Sequence, residues 1–168
     1  HLCGPEAVRN GQLYSVAFDR AQASILYKYM TAMIYMDEEL SSRLNVIESR
    51  KKVVDRASGS EFSALSSETK GKHGKSSSFI AYDELAQFCA DRSLYDVMHT
   101  STGAHEDALE WIFSTQAPDD ISVLSELIDY GRRVKDGEIE DPSFVSFLYT
   151  VPMDCDDIWD EAVWYSAN

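Results

Sequence analysis

The sequence predicts an α/β fold, a mostly parallel sheet flanked by helices, and three observations carry that prediction. Short β-prone runs alternate with helical stretches over most of the chain, the pattern of strands joined by crossover helices. The runs Phe79–Tyr82 and Trp111–Phe113 are apolar throughout, as strands covered on both faces are. Both runs end in acidic, hydroxyl or amide residues, at the strand ends where open α/β sheets gather ligands.

After a turn around Gly4 and Pro5, Gln12–Phe18 reads as a strand, and Asp19 offers an N-cap oxygen to the helix that follows. That helix covers Arg20–Met36, where Ala23, Ile25, Leu26, Tyr29, Met30, Met33 and Ile34 recur at three- and four-residue steps. Leu44–Glu48, Lys51–Arg56 and Glu61–Ser66 read as short strands joined by polar turns, an inserted antiparallel patch. From Glu68 to Ser78 the chain is rich in Gly, Ser and Lys, which predicts an exposed, mobile loop. This loop runs directly into the strand Phe79–Tyr82, and Glu84–Cys89 continues as a short helix. A helix over about Ser93–Ser101 is broken at Gly103, and Leu109–Thr115 is a second buried strand. Beyond Pro118 a helix spans Asp120–Val134 with Ile121, Leu124, Leu127 and Ile128 on one side. Ser143–Val151 reads as a further strand, and a last helix starts near Asp157.

With 168 residues, 44% of them hydrophobic and 11% aromatic, the chain buries one substantial core and reads as one domain. No stretch approaches the run of about 18 apolar residues that a membrane helix needs, and the first residues have neither the basic start nor the apolar run of a secretory signal. A soluble chain is expected. A start at His1 and a stop in WYSAN suggest ends cut from something longer. Cys3, Cys89 and Cys155 are odd in number and far apart, which fits neither a disulfide framework nor a zinc site and predicts a reducing, cytoplasmic setting. The net charge of −14 opposes non-specific attraction to nucleic acid, so any such contact is local or lies outside this chain.

The chemistry gathers at strand ends. Asp83 and Glu84 follow the apolar strand, and nucleotide hydrolysis has separate uses for two carboxylates: one holds Mg²⁺ through water, the other orients and polarises the attacking water. Burial beside the strand raises the pKa of such a base, while the metal keeps its neighbour ionised. The plainer reading is a helix N-terminus capped by Asp83 with Glu84 in its first turn. Ser114, Thr115 and Gln116 end the next strand, where hydroxyls and an amide reach a γ-phosphate or its water; they also suit a simple strand terminus. GKHGKS, Gly71–Ser76, reproduces the end of a phosphate loop but is a decoy. Thr69 stands where the first glycine belongs, and the loop runs into a strand instead of a helix. Its Lys70, Lys72 and Lys75, with His73, are candidates for a small nucleic-acid contact. The four histidines lack metal-ligand spacing, no G-x-S-x-G elbow is present, and Asp154, Asp156 and Asp157 read as a solvated turn before a helix.

In their order, HLCGPEA, VAFDRAQASILYKYM, SEFSALS before a Gly-rich loop, FIAYDEL, TSTGAHED, WIFSTQAP and DIWDEAVWYSAN resemble the large subunit of the tailed-phage terminase, the ATPase that packages double-stranded DNA. The resemblance spans nearly the whole chain. It implies a P-loop NTPase-like core of the ASCE type, with FIAYDE as the Walker B strand, Asp83 positioning Mg²⁺ and Glu84 as catalytic base. Ser114, Thr115 and Gln116 are then the coupling motif linking ATP hydrolysis to DNA movement. Residues 1–168 are expected to be part of an ATPase domain, with the phosphate-loop strand and helix upstream and a nuclease domain downstream, so this piece alone binds ATP poorly. The implied partners are double-stranded DNA, a small subunit, a portal protein and further copies in a ring, in the cytoplasm of a bacterial host. Tyr82 is bulkier than the aliphatic residue usual before the acidic pair, and Arg20 and Arg56 both remain open as an arginine finger. A helicase-like ATPase core and a non-catalytic α/β assembly module are the alternatives.

Overall fold

The computed structural model describes residues 1–67, 74–116, 119–151, 155, 157 and 159–166, with backbone alone at 89, 90 and 166. Strands Gln12–Ala17 (β1), Leu44–Ile47 (β2), Lys52–Asp55 (β3), Glu61–Ser66 (β4), Ser77–Asp83 (β5) and Leu109–Phe113 (β6) form one sheet in the order β2-β3-β4-β1-β5-β6. Helices cover Arg20–Met36 (α1), Glu38–Arg43 (α2), Ser93–Thr100 (α3), Val123–Lys135 (α4) and Glu161–Ser166 (α5). The chain divides into two units, His1–Leu124, which holds the sheet, and Ser125–Asn168.

β1 lies inside the sheet, parallel to β4 on one side and to β5 on the other, and β5 is parallel to β6. Five of its six residues are buried, as expected of a strand covered on both faces. α1 starts where the sequence places it: Asp19 Oδ1 accepts from the N–H groups of Ala21 and Gln22 at 2.7 and 2.9 Å. Tyr27 and Ile34 of this helix join Leu13, Leu44, Val53 and Phe62 in one apolar cluster, with Phe79 packed against it. Tyr82 packs instead on Tyr95 of α3, ring centroids 5.3 Å apart. Residues 79 and 82 of a strand point to opposite faces, so α1 and α3 cover opposite sides of the sheet.

β2, β3 and β4 do pair antiparallel, yet they are no separate insertion. β4 uses its other edge to pair in parallel with β1 and so extends the same sheet. A buried carboxylate ties the turn between β3 and β4. Asp55 is fully buried; it receives a two-pronged Arg43 guanidinium at 2.8 and 2.9 Å, and donors from Ala57 and Ser58. Gly59, two residues before β4, has φ +77°, and a Cβ there would lie 2.4 Å from Asn10 Oδ1, so glycine is required.

Several expectations change. β5 begins at Ser77 within the expected loop, because Ser78 Oγ donates to Gln12 O at 3.2 Å and Ser77 Oγ meets Ser101 Oγ at 2.5 Å, satisfying both buried hydroxyls. The segment after Glu84 is a 3-10 helix, Leu85–Ala90. β6 ends the sheet and is half exposed, with Trp111 and Phe113 each 50% accessible, where a buried strand was expected. α4 starts three residues later than expected, after Asp119 Oδ1 has accepted from Ile121 N–H at 3.1 Å. Ser143–Val151 forms no ladder among the described residues, and Val145, Phe147 and Tyr149 are exposed. Within that unit Phe144 packs edge-on against Tyr130 of α4, at 5.0 Å.

Candidate functional site

The site is built where β5 and β6 end together. Their parallel register sets Tyr82 against Ile112 and Asp83 against Phe113, so the residues that follow emerge side by side from the sheet. Glu84 then leaves the strand through a left-handed backbone, φ 56° and ψ 60°, and its N–H donates to Phe113 O at 2.8 Å. The turn swings its side chain over the end of β6. There Oε1 of Glu84 accepts three hydrogen bonds: from Ser114 Oγ at 2.9 Å, from Thr115 N–H at 2.8 Å and from Thr115 Oγ1 at 2.8 Å. Ser114 Oγ in turn accepts from Ala86 N–H at 2.9 Å, which ties the 3-10 helix to the same point.

The acidic pair and the hydroxyl pair, two separate features of the sequence, are thus one cluster. Gln116 is exposed beside it. The plainer reading of the pair fails: Asp83 is the last residue of the strand, and no side chain caps the helix that follows. The electrostatics reverse the sequence expectation. Burial works against the Glu84 charge, but the donors of Thr115 and Ser114 outweigh it and hold that carboxyl below its usual range. Burial, then the neighbouring Glu84 charge, pushes the Asp83 carboxyl up.

Beneath the pair, Tyr82 is fully buried and its hydroxyl donates to Glu110 Oε2 at 3.1 Å. Burial and the Glu110 charge raise its pKa, so it stays a neutral donor. The other Glu110 oxygen meets His99 Nδ1 at 2.7 Å, and His99 stacks on Tyr95 at 5.5 Å. A strand, an edge strand and a helix are linked in this way directly under Asp83. Sequence reasoning missed Glu110 and His99 because their partners come from distant segments.

Lys70 and Lys72 lie outside the described residues, and Lys75 sits over the Tyr14 ring, 4.7 Å from its centroid, just before β5. β5 is seven residues long, so at roughly 3.3 Å per residue its two ends are about 20 Å apart. Ser76 and Lys75 therefore stand at the opposite end of β5 from Asp83. Arg56 donates to Ser42 O at 2.6 Å, a structural contact. Asp154 and Asp156 lie outside the described residues; Asp157 Oδ1 accepts from Trp159 N–H at 2.8 Å in a turn.

Comparison with known proteins gives the family. The model of the terminase large subunit ATPase domain matches residues 1–133. This chain belongs to the terminase large-subunit ATPase family. It is 36% identical, over 169 aligned positions, to the terminase large subunit of Enterobacteria phage HK97, covering 100% of this chain and 32% of that protein. The chain therefore spans about a third of the length of its terminase relative. The crystal structure of the HK97 large terminase superposes with a TM-score of 0.87 at 36% identity, over 100% of this chain and 34% of the other. The large terminase ATPase domain of Thermus phage P74-26 shares the fold, with a TM-score of 0.51 at 16% identity over 71% of this chain and 52% of that one. The sheet flanked by helices is that of the terminase ATPase domains.

As for a metal, no group of three or more His, Cys, Asp or Glu side chains is placed to hold one among the described residues. Mg²⁺ does not need such a cage, because it is held by one or two carboxylates, waters and the substrate phosphates. Asp83, with no side-chain hydrogen bond to a described residue, fits that role.

Proposed function

We propose that this chain carries the Walker B and coupling half of an ATP-hydrolysing site in a motor that packages double-stranded DNA. The observation that supports it most is the clamp on Glu84: three donors from Ser114 and Thr115 fix Oε1, and Oε2 has no partner among the described residues. A carboxylate held by one oxygen presents the other in a defined direction, which a base needs to take a proton from water attacking the γ-phosphate. Asp83 is the carboxylate for the water shell of Mg²⁺; the bound ion would neutralise charge on the phosphates. Because Ser114 and Thr115 hold the base and directly follow β6, movement of that strand end changes the aim of Oε2. Hydrolysis and mechanical motion then share one joint, with Gln116 next to it.

The rest of the reading follows the family. We place the phosphate-loop strand and helix upstream and a nuclease domain downstream, and take the edge of β6, which has no further partner strand among the described residues, as the place for the phosphate-loop strand. DNA, a small subunit, a portal protein and sister copies in a ring are the proposed partners, in the cytoplasm of the bacterial host. Lys70, Lys72 and Lys75 are a proposed minor DNA contact. Family membership favours this reading over a helicase-like core, and the clamp favours it over a non-catalytic module.

The experiment is ATP turnover by a chain extended upstream through the phosphate loop, with and without Glu84→Gln. A general base contributes about 10²–10⁴-fold, so the variant should lose that much turnover while still binding nucleotide. Equal turnover in both proteins would remove Glu84 from the chemistry.

A further inference from the structure

A second polar site lies on the same sheet, away from the acidic pair. A cavity of about 320 Å³ is lined by Arg20 and Ser24 of α1, by Ser66 at the end of β4, and by Ser49, Arg50 and Lys51 in the turn between β2 and β3. Its volume is at the small end of ligand pockets. The charge pattern is unusual for this molecule: in a chain of net charge −14, three cations line one cavity and no carboxylate does. Arg43, Lys52, Arg92, Arg132 and Arg133 all pair with acids. Arg20, Arg50 and Lys51 have no acidic partner among the described residues.

The wall formed by Lys51 and Ser24 is also fixed in place. Lys51 is held in the left-handed region, φ 48° and ψ 49°, a strained backbone for a residue with a side chain. Its ammonium donates to the hydroxyl of Ser24, which is 2% accessible and donates to Arg20 O at 2.6 Å. Arg20 follows β1 by three residues and Ser66 ends β4, whose last residues pair with one another's strand, Ala17 against Ser66. The cavity therefore opens at the carboxyl edge of the sheet, the edge where such folds bind ligands.

We propose that this cavity binds phosphate oxyanions. Two guanidinium forks match the oxygens of a phosphate, an ammonium adds a compact positive charge, and hydroxyls complete the donors. The source is either the backbone of a nucleic acid or a free phosphate anion. The site does not depend on the roles assigned to Asp83 and Glu84.

The test compares Arg20→Ala/Arg50→Ala with a control double variant, Arg9→Ala/Lys28→Ala, that removes the same charge from positions outside the cavity. All four side chains belong to exposed or half-exposed residues, and circular dichroism checks the fold of each variant. Calorimetry with pyrophosphate and anisotropy with a labelled duplex of about twenty base pairs are run on both. The cavity variant should bind pyrophosphate at least tenfold more weakly than the parent, and the control should not. A nucleic-acid source adds a similar loss for the duplex and a salt dependence shallower by about two in log–log slope, at about 0.9 per phosphate contact. A free-phosphate source leaves the duplex result equal in the two variants. No pyrophosphate binding by the parent chain, or equal weakening by cavity and control variants, overturns the proposal.

Discussion

Glu84 sits in a backbone region that residues with a Cβ enter at a cost, commonly about 1–3 kcal/mol, and keep only when the surroundings hold them there. Its surroundings are four hydrogen bonds to three consecutive residues of one partner segment, Phe113, Ser114 and Thr115. The side-chain donors are unequal in consequence. Removing the Thr115 hydroxyl leaves its own N–H and Ser114 Oγ on the carboxylate, so the aim of Glu84 loosens without collapse. A hydrogen bond to a charged group contributes about 1.5–3 kcal/mol, and part of that should appear in the barrier. Thr115→Ala in the upstream-extended chain should slow ATP turnover about tenfold at unchanged nucleotide affinity, and Thr115→Ser should restore it. Turnover by Thr115→Ala equal to the parent would mean that the clamp does not serve catalysis.

At the scale of elements, the β3–β4 turn has the most concentrated polar wiring. The Arg43 guanidinium holds the Asp55 carboxyl far below its ordinary range against the opposing effect of burial, with further help from Ser58 and Ala57. A folded-state pKa below the unfolded value stabilises the fold above the unfolded value, near about 4, and that stabilisation is lost as pH falls through the folded one. Asp55→Asn should therefore cost about 2–3 kcal/mol at neutral pH, from lost charged hydrogen bonds. Denaturant melts should show the gap between parent and variant closing below about pH 4; a gap independent of pH down to 2 would refute the ion-pair account. The pairing of Asp55 with Arg43 was not legible in the sequence, because Arg43 is twelve residues away and the pairing needs β2, β3 and β4 already in register. Asp19 was legible, because a cap acts on its own next three residues. Ser143–Val151 shows the opposite case: its composition is that of a strand, but strand propensity reports fit to neighbours, and no neighbour is present among the described residues.

For the molecule as a whole, the alternation of elements was enough to read the layered sheet, and the strand ends were enough to single out the acidic pair and the hydroxyl pair that the fold brings together. Their contact was not readable. It depends on β5 and β6 being adjacent and on a left-handed turn at a glutamate, for which no local residue pattern exists. The basic cavity was hidden for the same reason, since its cations come from the start of α1 and from the β2–β3 turn. The outer strand has one more consequence, for how the chain behaves in a tube. Among the described residues β6 presents an unpaired backbone edge in this sheet, with Leu109, Trp111 and Phe113 accessible along one face. Such an edge recruits strands from other molecules. At low ionic strength the charge of −14 keeps copies apart, and at about 1 M salt the screening length shrinks to about 3 Å while the apolar edge is untouched. Sedimentation should then show a monomer at low salt and concentration-dependent association at high salt, suppressed by Trp111→Lys; a monomer at every salt concentration would argue against it. This chain is a colloid dispersed by its own acidity, and salt, which loosens its grip on a phosphate, should tighten its grip on itself.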